Sequence, residues 1–328
     1  MSGGVLVTGS TGFVGRVLCS QLQERGEAVF AGVRDSVRGR DLIPGVTPVV
    51  FNLDAPADVD GRILKRVSCI VHLAAQVHLM NPDEDERRHF DLRNAVATKA
   101  LAMLAAESGV SRFVFVSSVK VNGERSSAGG FRSDDPPNPA DPYAASKLRA
   151  EQALMSVAKE TGLEVCIVRP PLVYGPGVGA NFLRLLDWID REHLLPLGAV
   201  DNKRSLVSVR NLCGFISLVS RHPQASGRTW MVSDGTDLSV PDLVRSIAAA
   251  MGKRARLLNV PVPVLKVLGR LTGRQDAVAR LCDSLTVDVT QTRADLGWAP
   301  DVSVEEGLAE TVEWYCARRR GRTAGGAA

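Results

Sequence analysis

The chain has 328 residues and a mass of 35.1 kDa, enough for one large domain or two smaller ones with a substantial buried core. Hydrophobic residues make up 45% and charged residues 23%, values typical of globular proteins, so extensive disorder, a coiled coil and a collagen-like chain are excluded. The net charge is +4, and four arginines follow the last acidic residue, Glu313. The remainder is therefore close to neutral, and no nucleic-acid partner is predicted.

Six cysteines are scattered along the chain without a C-x-x-C motif, and several lie in apolar runs. This pattern predicts buried thiols in a reducing compartment. The chain enters a strand-like run at Val5, which leaves no room for a secretion signal, and no uninterrupted apolar run is long enough to span a membrane. We therefore expect a cytoplasmic protein without stable membrane insertion.

The first half of the chain alternates between two kinds of element. Short β-rich apolar runs at residues 5–7, 29–33, 49–53, 69–73, 113–116 and 165–168 predict strands, and amphipathic stretches at 14–24, 93–107 and 144–159 predict helices. Strands that read as continuously apolar are covered by helices on both faces, which indicates parallel strands joined by right-handed crossovers. The predicted fold is a doubly wound α/β sheet of the Rossmann type.

The alternating pattern loosens after residue 175. We expect residues 1–175 to form the dinucleotide-binding domain and residues 176–316 a smaller C-terminal substrate-binding lobe, with a strand or two interleaved into the first domain. Residues 317–328, rich in Arg, Gly and Ala, are predicted to form a disordered tail.

A glycine-rich loop, residues 8–15, follows the first predicted strand and opens the first helix. Glycine permits a tight turn and a close approach of the backbone to a pyrophosphate, while a helix N-terminus offers oriented N–H groups to the anion. The spacing is G-x-x-G-x-x-G rather than G-x-G-x-x-G. The residues predicted to bind the dinucleotide here are Gly9, Thr11, Gly12, Phe13, Val14 and Gly15.

The end of the second predicted strand bears on which dinucleotide is bound. Proteins that bind NAD usually have a carboxylate there, whereas this chain has Val33 and then Arg34, with Asp35 displaced by one residue. A guanidinium can form a fork with a 2′-phosphate, so NADP(H) is favoured, and NAD(H) remains open through Asp35. Asn52 and Leu53, at the end of the third strand, are predicted to flank the adenine.

Three residues suggest proton transfer to or from a carbonyl oxygen. Tyr143 and Lys147 are four residues apart at the start of a helix and so share one face, and Ser118 closes the fifth strand. An ammonium and an oxidised nicotinamide nearby would stabilise the phenolate of Tyr143, while the Ser118 hydroxyl would hold the reacting oxygen. We expect these three residues to be catalytic.

Together these residues resemble the extended short-chain dehydrogenase/reductase family, and in particular its sugar-nucleotide epimerase and dehydratase group. Further motifs carry the likeness along nearly the whole chain, including H-L-A-A at 72–75, Y-G-P-G at 174–177 and L-G-W at 296–298. Two positions depart from it: Asn122 replaces a tyrosine, and Val33 an aspartate of the NAD-binding members. The further cofactor-binding residues that the resemblance implies are Leu73, Ala74, Ala75, Asn94 and Pro170.

The resemblance also implies a substrate and an oligomeric state. Asn181 and Arg204 would bind the diphosphate of a nucleoside-diphosphate sugar, most simply a UDP-sugar, and the helices at 93–107 and 144–159 would pair in a homodimer. A metal role for His72 or His78 is not expected, because no carboxylate or cysteine lies at a suitable spacing.

Several activities remain compatible with these residues. Dehydratases carry Asp-Glu directly after the serine of the fifth strand, where this chain has Val119 and Lys120, so dehydration is not expected. Reduction of a UDP-4-keto-6-deoxy-hexosamine for surface polysaccharide is favoured, and a 4-epimerase acting on UDP-glucose or UDP-N-acetylglucosamine with tightly bound NAD is the alternative. A non-sugar ketone reductase and a non-catalytic dinucleotide-sensing regulator also stay open, although a regulator could dispense with Tyr143 and Lys147.

Overall fold

The computed structural model describes residues 3–34, 43–76 and 89–325. Nine strands are described: β1 (Gly4–Thr8), β2 (Val29–Val33), β3 (Thr47–Val50), β4 (Val67–His72), β5 (Arg112–Val116), β6 (Glu164–Arg169), β7 (Leu172–Tyr174), β8 (Leu206–Ser208) and β9 (Arg228–Met231). The α-helices described are α1 (Phe13–Glu24), α2 (Gly61–Leu64), α3 (Ala97–Glu107), α4 (Pro142–Thr161), α5 (Ala180–Asp190), α6 (Val209–Val219), α7 (Val240–Ala250), α8 (Val262–Leu271), α9 (Gln275–Cys282), α10 (Thr290–Leu296) and α11 (Val304–Gly325).

Seven parallel strands form one sheet in the order β3-β2-β1-β4-β5-β6-β9. Apolar side chains of α1 and α6 cover one face, and those of α3 and α4 cover the other. Strands buried on both faces explain the continuously apolar runs of the sequence. The predicted doubly wound Rossmann-type sheet is confirmed, and such sheets bind ligands at the carboxyl ends of their strands.

The second half of the chain contributes both to the main sheet and to a separate strand pair with its own apolar core. Its strand β9 pairs with β6 and extends the main sheet, while β7 and β8 form a separate parallel pair. A further apolar core joins α5, α7 and α11 around Tyr174. The lobe is thus tied to the first half by sheet hydrogen bonds as well as by side-chain packing.

Two parts of the chain differ from the prediction. The third strand runs over Thr47–Val50 instead of 49–53, at the sheet edge, where its Pro48 is tolerated. The predicted disordered tail from 317 is helical as far as Gly325, because α11 continues through it. Arg318 lies over the ring of Trp314 at 5.5 Å and Arg319 pairs with Asp190, and arginine and alanine also favour helix.

Within residues 3–34, 43–76 and 89–325, no helix is long and apolar enough to cross a membrane.

Candidate active site

The glycine loop forms a tight turn between β1 and α1. Gly9 has a φ of +70°, and the N–H of Gly12 donates to its carbonyl oxygen over 2.9 Å. A Cβ on Gly15 would collide with that same carbonyl oxygen, and one on Gly9 would lie 2.9 Å from the backbone nitrogen of Ala74. No side chain caps the N-terminus of α1. The loop therefore leaves backbone N–H groups of a twelve-residue helix available to an anion, as a pyrophosphate cradle requires.

The other predicted loop residues surround this turn. Thr11 accepts a hydrogen bond from Nε of Arg16 through its carbonyl oxygen at 2.9 Å. Phe13 and Val14 are the first residues of α1, and both are partly buried against apolar side chains. Phe13 also contacts the core of the second half, so it links the loop to the lobe.

The residues predicted to contact the adenosine lie after the ends of β2 and β3. Arg34 directly follows β2 and is exposed, whereas Val33 is buried. Asn52 is exposed, with its side-chain oxygen accepting from the N–H of Asp54 over 3.1 Å, and Leu53 packs partly into the core. Asp35, the carboxylate considered for NAD, lies outside the described residues.

The carboxyl end of β4 is held to β1 by a buried network. His72 shares hydrogen bonds with the hydroxyls of Thr8 at 2.8 Å and Thr98 at 3.0 Å, and burial lowers the pKa of His72 to about 3. The hydroxyl of Thr8 also accepts from the N–H of Ala74 over 3.2 Å. This network orients residues 73–75, including Leu73 and Ala75, beside the glycine loop. His72 is thus a neutral structural residue and does not act as a proton donor.

Asn94 lies in a π-helical turn, Asp91–Val96, that leads into α3. Its side chain is buried and bonds both backbone groups of Gln76: Oδ1 accepts from the N–H over 2.8 Å, and Nδ2 donates to the carbonyl over 3.1 Å. Nδ2 also lies 3.0 Å from the hydroxyl of Ser146 on α4. π-Turns recur at functional sites, and this one links α3 to the segment after β4 and to the helix of Tyr143.

Lys147 and Tyr143 lie against the end of β5. The buried Nζ of Lys147 donates to the carbonyl of Val116 over 2.9 Å and lies 4.5 Å from the ring centre of Phe115. The same Nζ is 6.0 Å from the ring centre of Tyr143. Ser118 follows two residues after Val116 and begins the 3-10 turn Val119–Val121. The structure therefore brings the three predicted catalytic residues to one strand end.

The acidities of the two groups on α4 differ from expectation. The pKa of Tyr143 is raised to about 12, first by burial and then by the charge of Asp141, although Lys147 was expected to lower it. Burial lowers the pKa of Lys147 to about 8, and the Glu151 carboxylate opposes this shift. Burial and the charge of Asp141 therefore set the pKa of Tyr143, and its phenol is protonated at neutral pH.

A salt bridge beside Ser118 occupies the position where dehydratases carry acids. Nζ of Lys120 lies 2.8 Å from Asp141 and 2.8 Å from Glu124. Burial lowers the pKa of Lys120, but the hydrogen bonds and charges of these two carboxylates outweigh burial, so the pKa is raised. Asp141 also caps α4 by accepting from the N–H of Ala144 over 2.7 Å. Lys120 thus binds the capping residue of α4, the helix that carries Tyr143.

The predicted substrate residues lie in the second half of the chain. Asn181 is the exposed second residue of α5, and no described contact joins it to Arg204. Arg204 precedes β8, and its Nη1 donates to the carbonyls of Arg280 over 2.9 Å and Asp283 over 3.2 Å. Burial lowers the pKa of Arg204, and the charges of Glu124 and Asp283 oppose that change. Pro170 is buried.

Sequence reasoning missed two features of this site. Asp141 caps α4 directly before Pro142, and an Asp followed by Pro is a recognisable helix start. Glu151, four residues after Lys147, forms a buried ion pair with Arg169; the i,i+4 spacing indicated the helix face that it shares with Lys147 but not its partner Arg169. Among the described residues, no group of three His, Cys, Asp or Glu side chains could hold a metal ion, and His78 lies outside them.

Comparison with known proteins places this chain in a family. Residues 5–233 match the family described as "NAD dependent epimerase/dehydratase family". A UDP-glucose 4-epimerase from Vibrio cholerae is 39% identical over 95% of both chains. A 3-beta-hydroxysteroid dehydrogenase from Mycolicibacterium neoaurum is 27% identical over 95% of this chain and 91% of its own.

Solved structures show the same architecture. MoeE5 in complex with UDP-glucuronic acid and NAD is 27% identical with a TM-score of 0.76, over 97% of this chain and 100% of its own. The UDP-glucose 4-epimerase from Thermotoga maritima, 22% identical with a TM-score of 0.77 over 96% and 99% of the two chains, supports the fold alone. The chain therefore belongs to the NAD dependent epimerase/dehydratase family of extended short-chain dehydrogenases/reductases and is an enzyme of that family.

Proposed function

We propose that the protein reduces the 4-keto group of a UDP-4-keto-6-deoxy-hexosamine with NADPH, in the synthesis of a surface polysaccharide. The observation that supports this proposal is the position of Tyr143 at the end of β5, with its ring centre 6.0 Å from the Nζ of Lys147. A tyrosine whose pKa is about 12 is a proton donor at neutral pH, and reduction of a carbonyl needs a donor as the hydride arrives. Oxidation of an alcohol would first require a further positive charge to make the phenolate.

The residues of the glycine loop fit a dinucleotide. Gly9 at positive φ, the crowded Gly15 and the uncapped N-terminus of α1 form a cradle that side chains would fill. Leu73, Ala74, Ala75 and Pro170 would border the cofactor, and Asn94 would fix the segment that contacts it. When bound, the dinucleotide supplies a hydride to the carbonyl carbon. The chain's own part is to bind it, to exclude water and to deliver the proton.

Arg34 supports NADP(H) as the dinucleotide. The buried Val33 cannot accept hydrogen bonds from ribose hydroxyls, whereas the exposed guanidinium of Arg34 stands where β2 ends. A charge-assisted fork to a 2′-phosphate is among the stronger polar interactions in proteins. Asn52 and Leu53 would flank the adenine from the end of β3.

The proton-transfer steps follow from the residues around Ser118. Ser118 would hold the substrate carbonyl oxygen, and the phenol of Tyr143 would donate its proton to that oxygen as the alcohol forms. Lys147, held in place by the Val116 carbonyl, would grip the cofactor ribose and stabilise the phenolate that remains. Arg204 and Asn181 would bind the diphosphate from the lobe, which places the sugar between the lobe and the strand ends.

A UDP-sugar 4-epimerase is the second candidate, favoured by the 39% identity with the Vibrio cholerae enzyme. Incubation with UDP-glucose and UDP-N-acetylglucosamine, without added cofactor, separates the two. Formation of the 4-epimers would establish an epimerase with resident NAD. Oxidation of NADPH with a UDP-4-keto-6-deoxy-hexosamine, and no epimers, would support the reductase.

Tyr143→Phe tests the assigned proton donor in either case. We expect turnover to fall by about 10²–10⁴-fold, because the variant lacks the donated proton, while the dissociation constant for NADPH stays close to that of the wild type. Turnover by Tyr143→Phe at the wild-type rate would refute the role given to Tyr143.

We also propose a cytoplasmic homodimer. The six cysteines, all within the described residues, are free thiols, and five are buried, as suits a reducing compartment. The exposed side chains of Leu92 and Val96, before α3, and of Met155 on α4 support pairing of these helices between two copies. Light scattering of the protein and of a Val96→Glu variant would test the dimer.

A further inference from the structure

A buried ion pair at the carboxyl end of the sheet joins α4 to β6. Arg169 is 5% exposed and Glu151 is 3% exposed. Nε of Arg169 donates to Oε1 of Glu151 over 3.0 Å, and Nη2 donates to Oε2 over 2.5 Å. The remaining guanidinium nitrogen, Nη1, donates to Oδ1 of Asn122 over 2.9 Å, and Nδ2 of Asn122 donates to the Arg132 carbonyl over 3.1 Å. One guanidinium therefore connects three segments of the chain.

Each of those three segments carries part of the candidate site. Glu151 lies one helical turn after Lys147 on α4, so the two side chains share a face. Asn122 ends the 3-10 turn that begins at Ser118. Arg169 is the last residue of β6, which pairs with β5 next to the site. A shift of the guanidinium would consequently move Ser118 relative to Lys147.

Stability alone does not account for this arrangement. Burying two charges costs about as much free energy of desolvation as their attraction returns, and well-packed apolar residues often stabilise a protein equally well. The planar fork of an arginine instead fixes the direction of each partner. Asn122 accepts a hydrogen bond from the guanidinium and so links it to the turn of Ser118. The tyrosine that Asn122 replaces in the family has no amide oxygen to accept this bond.

We propose that Arg169, Glu151 and Asn122 are positioning residues that hold Ser118 and Lys147 at their working separation, and that Glu151 provides a negative charge one helical turn from Lys147. The activity measurements below rest on the proposed function, whereas the cofactor-binding measurement does not depend on the identity of the substrate.

The titratable and charged groups around Lys147 come from three elements. Tyr143 and Glu151 lie one turn to either side of it on α4. His72 on β4 is near enough for the charge of Lys147 to contribute to its lowered pKa, and it is neutral. Arg169 on β6 is paired with Glu151. Glu151 is the group that raises the pKa of Lys147 against burial, so its removal shifts Lys147 towards the neutral amine.

Glu151→Gln removes the charge and keeps the size of the side chain. We expect kcat to fall by about tenfold or more while KM for the UDP-sugar is unchanged, because the binding residues of the lobe are untouched. The alkaline limb of the kcat profile should move down by about one pH unit, as expected when an opposite charge is lost near an ionisable amine.

Glu164→Gln is the matched control. Glu164 also pairs with a buried arginine, Arg112, but at the amino end of β6. This variant should change thermal stability alone. An alkaline limb that stays at the wild-type pH in Glu151→Gln, or that moves equally in Glu164→Gln, would overturn the role given to Glu151.

Asn122→Ala separates geometry from charge. It leaves the ion pair in place and releases the turn of Ser118, so we expect kcat to fall by about tenfold without movement of the alkaline limb. Wild-type kcat in this variant would refute the positioning role of Asn122. Asn122→Ala also tests the positioning claim if Glu151→Gln does not fold.

Cofactor binding gives a readout that needs no turnover. The dissociation constant of NADP⁺ can be followed by quenching of protein fluorescence across the pH range. It should rise as the pH is raised, and this rise should begin at a lower pH in Glu151→Gln than in the wild type and in Glu164→Gln. The same pH dependence in all three would contradict the inference. If the wild type turns over no UDP-sugar but the shift in binding is found, the proposed function fails and the role of Glu151 stands.

Discussion

The buried polar groups around two cations, Arg112 at the amino end of the seven-stranded sheet and Lys147 at its carboxyl end, are paired in different ways. At the amino end, Arg112 satisfies its guanidinium with Glu164 and with the carbonyls of Val219 and His222, at 3.0 and 2.8 Å. At the carboxyl end, the buried hydroxyl of Ser117 has no hydrogen-bond partner among the described residues, and burial holds the pKa of Lys147 near 8.

This difference in pairing distinguishes buried polar groups that stabilise the fold from those that serve a ligand site. A polar group that serves the fold is paired within the chain, because an unpaired one costs stability. Groups left unpaired or with perturbed acidity cluster where a ligand completes their bonding. The comparison predicts that substitution of Lys147 changes turnover, whereas substitution of Arg112 changes stability.

Lys147→Met should give the largest effect. Loss of the ammonium removes the group proposed to stabilise the phenolate of Tyr143, and we expect kcat/KM to fall by about 10²–10⁴-fold. Steady-state assays with the UDP-4-keto sugar provide the measurement. Wild-type activity in Lys147→Met would show that the ammonium of Lys147 has no role in turnover.

Arg34→Asp tests the carboxyl end of the sheet at a second position, directly after β2. Replacing the cation by a carboxylate should weaken NADP(H) binding by about 10- to 100-fold, as expected from the loss of charged hydrogen bonds worth about 1.5–3 kcal/mol, and should improve NAD(H) binding. Titration calorimetry with both dinucleotides would measure the change, and Arg25→Asp, on the loop after α1, is a matched control for charge. An unchanged preference would assign the 2′-phosphate to another group or exclude NADP(H).

His72 predicts how stability depends on pH. Its pKa is about 3 in the folded protein and 6.5 in an unstructured peptide, so the unfolded chain binds the extra proton between these values. The contribution of neutral His72 is therefore complete above pH 6.5, and it declines by at most about 1.4 kcal/mol per pH unit as the pH falls towards 3.

Urea unfolding of the wild type and of His72→Asn at neutral and mildly acidic pH would isolate this effect. The variant should lose less stability on acidification, because it has no proton to take up on unfolding. Equal losses in the two proteins would show that other groups dominate.

Arg112→Met should give the smallest effect on function. It leaves the carbonyls of Val219 and His222 without their donor, which should cost about 1–3 kcal/mol of unfolding free energy. We expect kcat and KM to stay at wild-type values in thermal-shift and kinetic measurements. A loss of turnover in a folded Arg112→Met protein would show that the two ends are coupled.

Much of this molecule was predictable from local patterns. The apolar runs and the glycine loop indicated the parallel sheet, and the i,i+4 spacing of Tyr143 and Lys147 predicted that they share one helix face. These features depend on residues close in sequence, where backbone periodicity decides the outcome.

Features that depend on distant residues were not predictable. The raised pKa of Tyr143 arises from burial and from Asp141 once α4 has docked, and neither is visible in a sequence. The pairing of Arg169 with Glu151 joins a strand to a helix, and arginine and glutamate separately are far more often exposed. The helical end of α11 likewise includes a contact between residues distant in sequence, Arg319 and Asp190.

The late arrival of β9 has a consequence for how the chain can be made and divided. Until Met231 has been synthesised, β6 presents an open row of backbone donors and acceptors, and open strand edges invite association with other chains. A fragment ending at residue 175 would keep that exposed border permanently. We therefore expect a fragment of residues 1–175 to associate with other chains and precipitate. In the full chain, the sheet can be completed only late in translation.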